Sequence, residues 1–389
     1  MTPGASPAAG GSGEIPDRPA AGGREHGAGE AGAGIGVGIG AALADWRRRS
    51  TWVDMVMLAL RVSLLVLVSA GLLLSLAHNE YSAGDWLSFA VFGLTLGSIY
   101  ALISLGYTMV YGVLRMINFA HGDVFMAGAF GALIVADPLI ATGSLLAVLL
   151  LIAVGAATSA AIAALVERVA YRPFRHRGTL APLICAIGVS FVLQYTARGL
   201  FGTGSRAYDD IPLLDGVVTL GPLQVPLVQI FVILAALLAM GALHLLVQHT
   251  RLGASMRAVA EDRETAALMG INADRVVTLT FLIGGVMAGT AGVLYALVFK
   301  QIHAFMGFAI GIKGFAAAVL GGIGNIPGAM VGGFVLGLAE SFGPAALLSG
   351  FGIPAPYQLK DAIAYGLLVI ILIFRPQGIF GERLAVKRM

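Results

Sequence analysis

The chain has 389 residues, of which 58% are hydrophobic and only 12% charged, with a mean hydropathy of +0.89. An ordinary soluble domain carries about twice that charge, so the composition excludes a water-soluble globular protein and indicates a membrane protein. The formal net charge of +3 comes from basic residues dispersed between apolar runs, which excludes a nucleic-acid-binding surface, and the single cysteine, Cys185, excludes an internal disulfide or a CxxC metal or redox centre.

In chain order, residues 1–45 are rich in Gly, Ala, Pro and Ser and nearly free of large apolar side chains, which predicts a disordered tail. Glu14 and Asp17 come early, and no basic head precedes an apolar core, so a secretory signal is not expected. The segment 34–44 is apolar but too glycine-rich to count as a span. A membrane domain is expected over 50–385. A spanning helix needs about 20 mostly apolar residues, and the clear candidates are 55–76, 86–111, 124–140, 145–166, 180–200, 227–247, 276–299 and 359–374. The stretch 309–342 is too long for one straight span, and its GGIGNIPG segment at 321–328 predicts a break into two shorter helices. The expected fold is therefore all-α, a polytopic transmembrane bundle of about eight to ten spans, some short or broken.

Lys and Arg accumulate in cytoplasmic loops. Arg47, Arg48 and Arg49 place the start of the first span inside. Counting onward, the inner loops hold Arg115, then Arg168, Arg172, Arg175 and Arg177, then Arg251, Arg257, Arg263 and Arg275, and finally Arg375, Arg383, Lys387 and Arg388. The outer side receives Arg198, Arg206, Lys300, Lys313 and Lys360, together with Asp85, Asp137, Asp209, Asp210 and Asp215. This parity needs two crossings in 309–342 and puts both termini in the cytoplasm. The spans are also rich in glycine, as in Gly93, Gly97, Gly106 and Gly112 or Gly284, Gly285, Gly289 and Gly292. Small residues at such spacing let helices approach closely in lipid; the alternative is that they line or flex around a pathway, as in the broken helices of transporters.

Two polar segments interrupt the apolar pattern. The turn from Asn118 to Asp123, which includes His121, is built of residues that bond their own backbone or allow positive φ; two candidate ligands this close, with no third nearby, do not make a metal site. The island 251–275 is highly charged for so greasy a chain. In it Asp262 is placed to cap a short helix, Glu264 lies near the helix's positive end, and Gly270 offers a left-handed stop. It reads either as a connecting loop or as a docking element.

Catalytic signatures are missing: there is no HExxH, no GxSxG and no pair of intramembrane carboxylates. No Gly-Lys dipeptide occurs, so the chain has no P-loop of its own. Ionisable residues within spans are scarce, with Arg61, His244 and Glu340 as the candidates. An ion-coupled carrier is expected to show more. Neither an enzyme nor a metal or other cofactor is expected.

The segment GLTLGSIYALISLGYTMVYG at 93–112, followed by RMINFAHGD at 115–123, resembles the permease of branched-chain amino acid ABC importers, the LivH-type subunit. The resemblance continues through RAVAEDRETAALMGI at 257–271, KGFAAAVLGGIGNIPGA at 313–329 and FRPQGIFG at 374–381, and covers about 50–385. It implies a translocation subunit of the bacterial plasma membrane that pairs with a second, related permease. Two cytoplasmic ABC ATPase subunits would drive the pair, and an extracytoplasmic substrate-binding protein would deliver a branched-chain amino acid. The island would then be the coupling element, with Glu261, Asp262, Glu264, Ala266 and Gly270 at the ATPase contact. Thr265 stands where importer permeases usually carry alanine, and Asp123 where LivH-like sequences commonly carry Glu. Asn118, His121 and Asp123 would form a gate or a structural turn. A urea or short-amide importer and a self-sufficient secondary carrier are the alternatives.

Overall fold

A computed structural model describes residues 52–78, 81–174, 180–221, 223–354, 356–375 and 377–381. The tail 1–45, Arg47 to Arg49, Arg175, Arg177, Arg383, Lys387 and Arg388 lie outside the described residues. The chain divides into two compact units, 1–64 and 65–389. Helix α1 (Trp52–Ala77) crosses that boundary, and in the first unit it exposes Trp52, Met55, Leu58 and Leu60, an apolar surface suited to lipid.

The second unit holds α2 (Ala83–Leu114), α3 (His121–Leu133), the short α4 (Ala136–Ile140), α5 (Leu145–Val166), α6 (Leu180–Phe201), α7 (Leu227–His249), α8 (Arg251–Glu261), α9 (Arg263–Leu268), α10 (Ala273–Phe299), α11 (Met306–Gly321), α12 (Ile326–Gly343) and α13 (Lys360–Phe374). Among the described residues there are also four short strands: β1 (Arg206–Ala207) pairs antiparallel with β4 (Gln301–Ile302), and β2 (Val217–Leu220) with β3 (Leu223–Pro226). Helix starts follow local chemistry. Ser82 and Asp85 form a reciprocal capping box on α2, Ser144 accepts from the Ala147 amide, Asn272 from Arg275 and Asn325 from Gly328; each satisfies a backbone donor that the first helical turn leaves orphaned.

A repeated architecture organises the second unit. Helix α2 ends on Arg115, a non-glycine residue at φ 54°, and after 115–120 the short α3 begins; α10 ends on Lys300 at φ 56°, and after 300–305 the short α11 begins. The next long helix in each set, α5 or α12, closes with a π-helical turn (Glu167–Tyr171 or Pro344–Leu348) and then a 3-10 turn (Arg172–Phe174 or Ser349–Phe351). The two sets run in opposite directions, because α2 ends beside the island, where Arg115 reaches the Ala260 carbonyl at 3.4 Å, whereas α10 departs from it. They interlock: α2 packs on α12 and α5 on α10. The first turns of α3 and α11 meet, such that a Cβ at Gly122 would lie 2.6 Å from the Gly311 Cα and would overlap the Gly307 carbonyl.

Among the described residues, eight helices are long and apolar enough to cross a membrane. The expected span 124–140 is not among them. It divides into α3, of 13 residues, and α4, of 5, and α3 at about 1.5 Å per residue is too short for a hydrocarbon core of about 30 Å. The stretch 309–342 does break into two helices, α11 and α12, at Gly322 (φ 105°) and Gly324 (φ 96°), but of the two expected crossings only α12 is among the eight; α11, of 16 residues, is too short. The span glycines mostly serve contact. A Cβ at Gly93 would lie 3.0 Å from Leu338 Cα, one at Gly97 2.8 Å from Phe334 Cα, and one at Gly285 2.8 Å from Ala160 Cα. Gly112 has nothing within 4 Å.

Candidate functional site

The island folds as two helices. Thr250 caps α8 by accepting from the Gly253 amide at 3.1 Å. Asp262 caps α9 by accepting from the Glu264 and Thr265 amides at 2.9 and 3.2 Å, and from the Thr265 hydroxyl. These bonds favour the carboxylate, so Asp262 sits below its ordinary value of 3.8, with the Thr265 hydroxyl the largest cause. Gly270 (φ 84°) ends the helix, and the Ile271 amide returns to the Ala266 carbonyl at 3.1 Å. The element is tied down at its base: Arg263 and Arg172 hold Asp274 at 2.8 and 3.4 Å.

Glu261, Asp262, Glu264 and Gly270 are exposed on this element. Ala266 is not; it is 4% exposed and faces the bundle, because the return from Ile271 folds the chain over that side. Instead Leu268 and Met269 stand 88% and 80% exposed in the last turn. Sequence reasoning passed over both, although two large apolar side chains between Ala267 and Gly270 in so polar a segment were a usable signal.

Asn118, His121 and Asp123 are brought together, and all three are buried, at 3%, 2% and 0% exposure. Their environment is therefore the bundle interior, and they do more than bond their own backbone. Asn118 Oδ1 accepts from the Ala120 amide at 3.1 Å and from the Tyr171 hydroxyl of the π-turn at 2.9 Å. Asp123 accepts from the Ser190 hydroxyl and, at 3.0 Å, from Gln194 Nε2, both on α6. His121 packs edge-on to the Tyr107 ring, and its Nε2 has no hydrogen-bond partner. Asp123 thus joins α3 to α6.

A second buried cluster went unseen in the sequence, where Lys313 was assigned to the outer side and no carboxylate pair was expected. Lys313 lies within α11 and donates to Glu340 of α12 and to Asp361 of α13, both at 2.7 Å. Tyr100 of α2 donates to the other Glu340 oxygen at 2.8 Å, and Lys360 Nζ is 4.0 Å from Glu340. Four helices contribute, and residues 27 and 48 positions from Lys313 cannot be matched to it by local pattern. Of the other ionisable candidates, His244 is only half-buried. Among the described residues, no group of three His, Cys, Asp or Glu gathers where a metal could be held.

A long-helix bundle with interrupted helices at its centre, polar clusters joining helices across it and an exposed helical knob at one end is the architecture of a polytopic membrane transport protein. The family model described as branched-chain amino acid transport system / permease component matches residues 89–372. The high-affinity branched-chain amino acid transport system permease protein BraD of Pseudomonas aeruginosa is 43% identical over 76% of this chain and 96% of its own length. The corresponding LivH of Escherichia coli (strain K12) is 42% identical over 75% of this chain and 94% of its own. A more distant relative, the ribose import permease protein RbsC of the same organism, is 26% identical over 80% and 91%. The chain belongs to the branched-chain amino acid transport permease family and is a multi-pass inner-membrane protein.

Proposed function

We propose that this chain is the translocating subunit of an ATP-driven importer of branched-chain amino acids. It would work beside a second, related permease, be driven by two cytoplasmic ABC ATPase subunits, and be supplied by an extracytoplasmic binding protein. The exposed knob of α9 carries this reading. Leu268 and Met269 project from a helix capped at both ends and anchored through Asp274, an arrangement suited to burying two apolar anchors in a groove on an ATPase subunit. Glu261, Asp262 and Glu264 form the polar rim of the contact, and Ala266 supports it from beneath. The basic residues put the island and both termini in the cytoplasm. Hydrolysis on the ATPase subunits shifts the equilibrium between access states, and the knob transmits that shift to α8 and α10. Asp123, by tying α3 to α6, serves as a gate contact within the bundle.

Substitution of Leu268 and Met269 together by glutamate should abolish ATP-driven leucine uptake and co-purification of the ATPase subunits, while the permease still inserts. The combination Glu264→Lys with Gly270→Pro should do the same, because proline and charge reversal damage the knob and not the spans. Normal uptake by either double variant would refute the coupling role.

A further inference from the structure

A cavity of about 460 Å³ opens at the end of the second unit opposite the island and descends to the buried ion cluster. Its volume is in the range of small-molecule sites. Val91, Phe92 and Leu96 of α2 wall one side, and Glu340 and Lys360 supply its charged groups. The two charges differ in how they are held. The Glu340 side chain is 1% exposed and accepts from Lys313 at 2.7 Å and from the Tyr100 hydroxyl at 2.8 Å. These two bonds use two of the roughly four acceptor positions of a carboxylate. Lys360 is 45% exposed, and its 4.0 Å separation from Glu340 contrasts with the 2.7 Å of the Lys313 contact. The carboxylate therefore retains acceptor capacity, and the ammonium stands beside it without closing a tight pair.

A free aliphatic amino acid presents an ammonium, a carboxylate and a branched hydrocarbon within a few bonds. Leaving water, it needs an acceptor for the first, a donor for the second and an apolar wall for the third. We propose that this cavity is a substrate subsite for a zwitterionic aliphatic amino acid: Glu340 accepts from its α-ammonium, Lys360 donates to its α-carboxylate, and Val91, Phe92 and Leu96 receive its side chain. Both partners of the substrate are opposite charges placed side by side, so the site selects the zwitterion over an amine or an acid alone. The inference rests on the amino acid transport reading above.

The test uses the assembled complex of both permeases and both ATPase subunits in detergent, without binding protein, and measures equilibrium binding of radiolabelled leucine. Competition is measured with isocaproate, which lacks the amine, and isoamylamine, which lacks the carboxylate. Leucine should bind saturably and compete at least tenfold better than either analogue. Lys360→Gln should weaken leucine at least tenfold and leave isoamylamine unchanged, and Lys360→Arg should restore most of the leucine binding. A general structural defect would instead weaken leucine and isoamylamine alike, and that result would overturn the assignment, as would equal leucine binding by the wild type and Lys360→Gln, or no saturable leucine binding at all. ATP-driven leucine uptake by the same wild-type complex, reconstituted with its binding protein, is measured in parallel. Uptake with a failed binding test sinks the subsite alone, whereas absence of uptake sinks the transport reading beneath it.

Discussion

Lys313→Met should destabilise the protein by about 3–5 kcal/mol, the cost of stranding a buried charge. Lys313 contacts two carboxylates at the same 2.7 Å, yet they are not equivalent: the Glu340 side chain is 1% exposed and that of Asp361 55%. At an effective dielectric of about 20, a pair 2.7 Å apart gains about 6 kcal/mol before desolvation is counted. Without Lys313, Glu340 keeps the Tyr100 hydroxyl and only the distant, half-exposed Lys360. Asp361→Asn removes a partner that water already solvates and should cost less than about 1 kcal/mol. The double variant Lys313→Met with Glu340→Gln removes the stranded charge and should recover most of the loss. Equilibrium unfolding in mixed micelles, read as a double-mutant cycle, separates these terms. Equal losses for Lys313→Met and Asp361→Asn, or a double variant no more stable than Lys313→Met, would refute the reasoning that burial decides which contact matters.

The meeting of α3 and α11 leaves no room at Gly122, where a Cβ overlaps the Gly307 carbonyl. Gly122→Leu should thus abolish recovery of monodisperse protein, whereas Gly188→Leu, at a helical position with nothing within 4 Å, should be recovered normally by size-exclusion chromatography. The Asp262 cap should respond to acid. Its folded value lies below 3.8, so its contribution is present above the ordinary aspartate range and is lost as pH falls through the lowered value. Protection of the Glu264 and Thr265 amides, followed by hydrogen exchange, should hold from neutrality down to about pH 4 and decline below it. Asp262→Asn, which keeps a side-chain acceptor, should remove that pH dependence; protection that declines already between pH 7 and 5 would contradict the assigned cap.

Local physics made much of this protein legible. Long apolar runs set out most of the helices, because a backbone in lipid must satisfy its own hydrogen bonds. In the island, the positions of Asp262 and Gly270 specified the start and stop of α9 without any tertiary contact. The signal failed wherever a residue's environment is supplied by distant parts of the chain. Lys313 and Glu340 each read as isolated charges, and only the packing of α11 against α12 and α13 turned them into a buried pair. His121 and Asp123 read as turn residues until α2 and α6 closed over them. The run 124–140 had the composition of a span, but it divides into α3 and α4, and the start of α3 at Gly122 and Asp123 is pinned by Gly307 and Gly311, residues far along the chain. The opposed repeat, in which Gly122 meets Gly307, left no recognisable trace in the residue order, because what it conserves is backbone geometry at two helix ends and not side-chain identity. The amino-acid sequence alone thus determined the membrane class, most helices and the bounds of α9, since these follow from hydropathy and short-range hydrogen bonding. The tertiary structure decided which charges are buried and which polar residues join helices, since each of these depends on groups that folding brings together from separate helices.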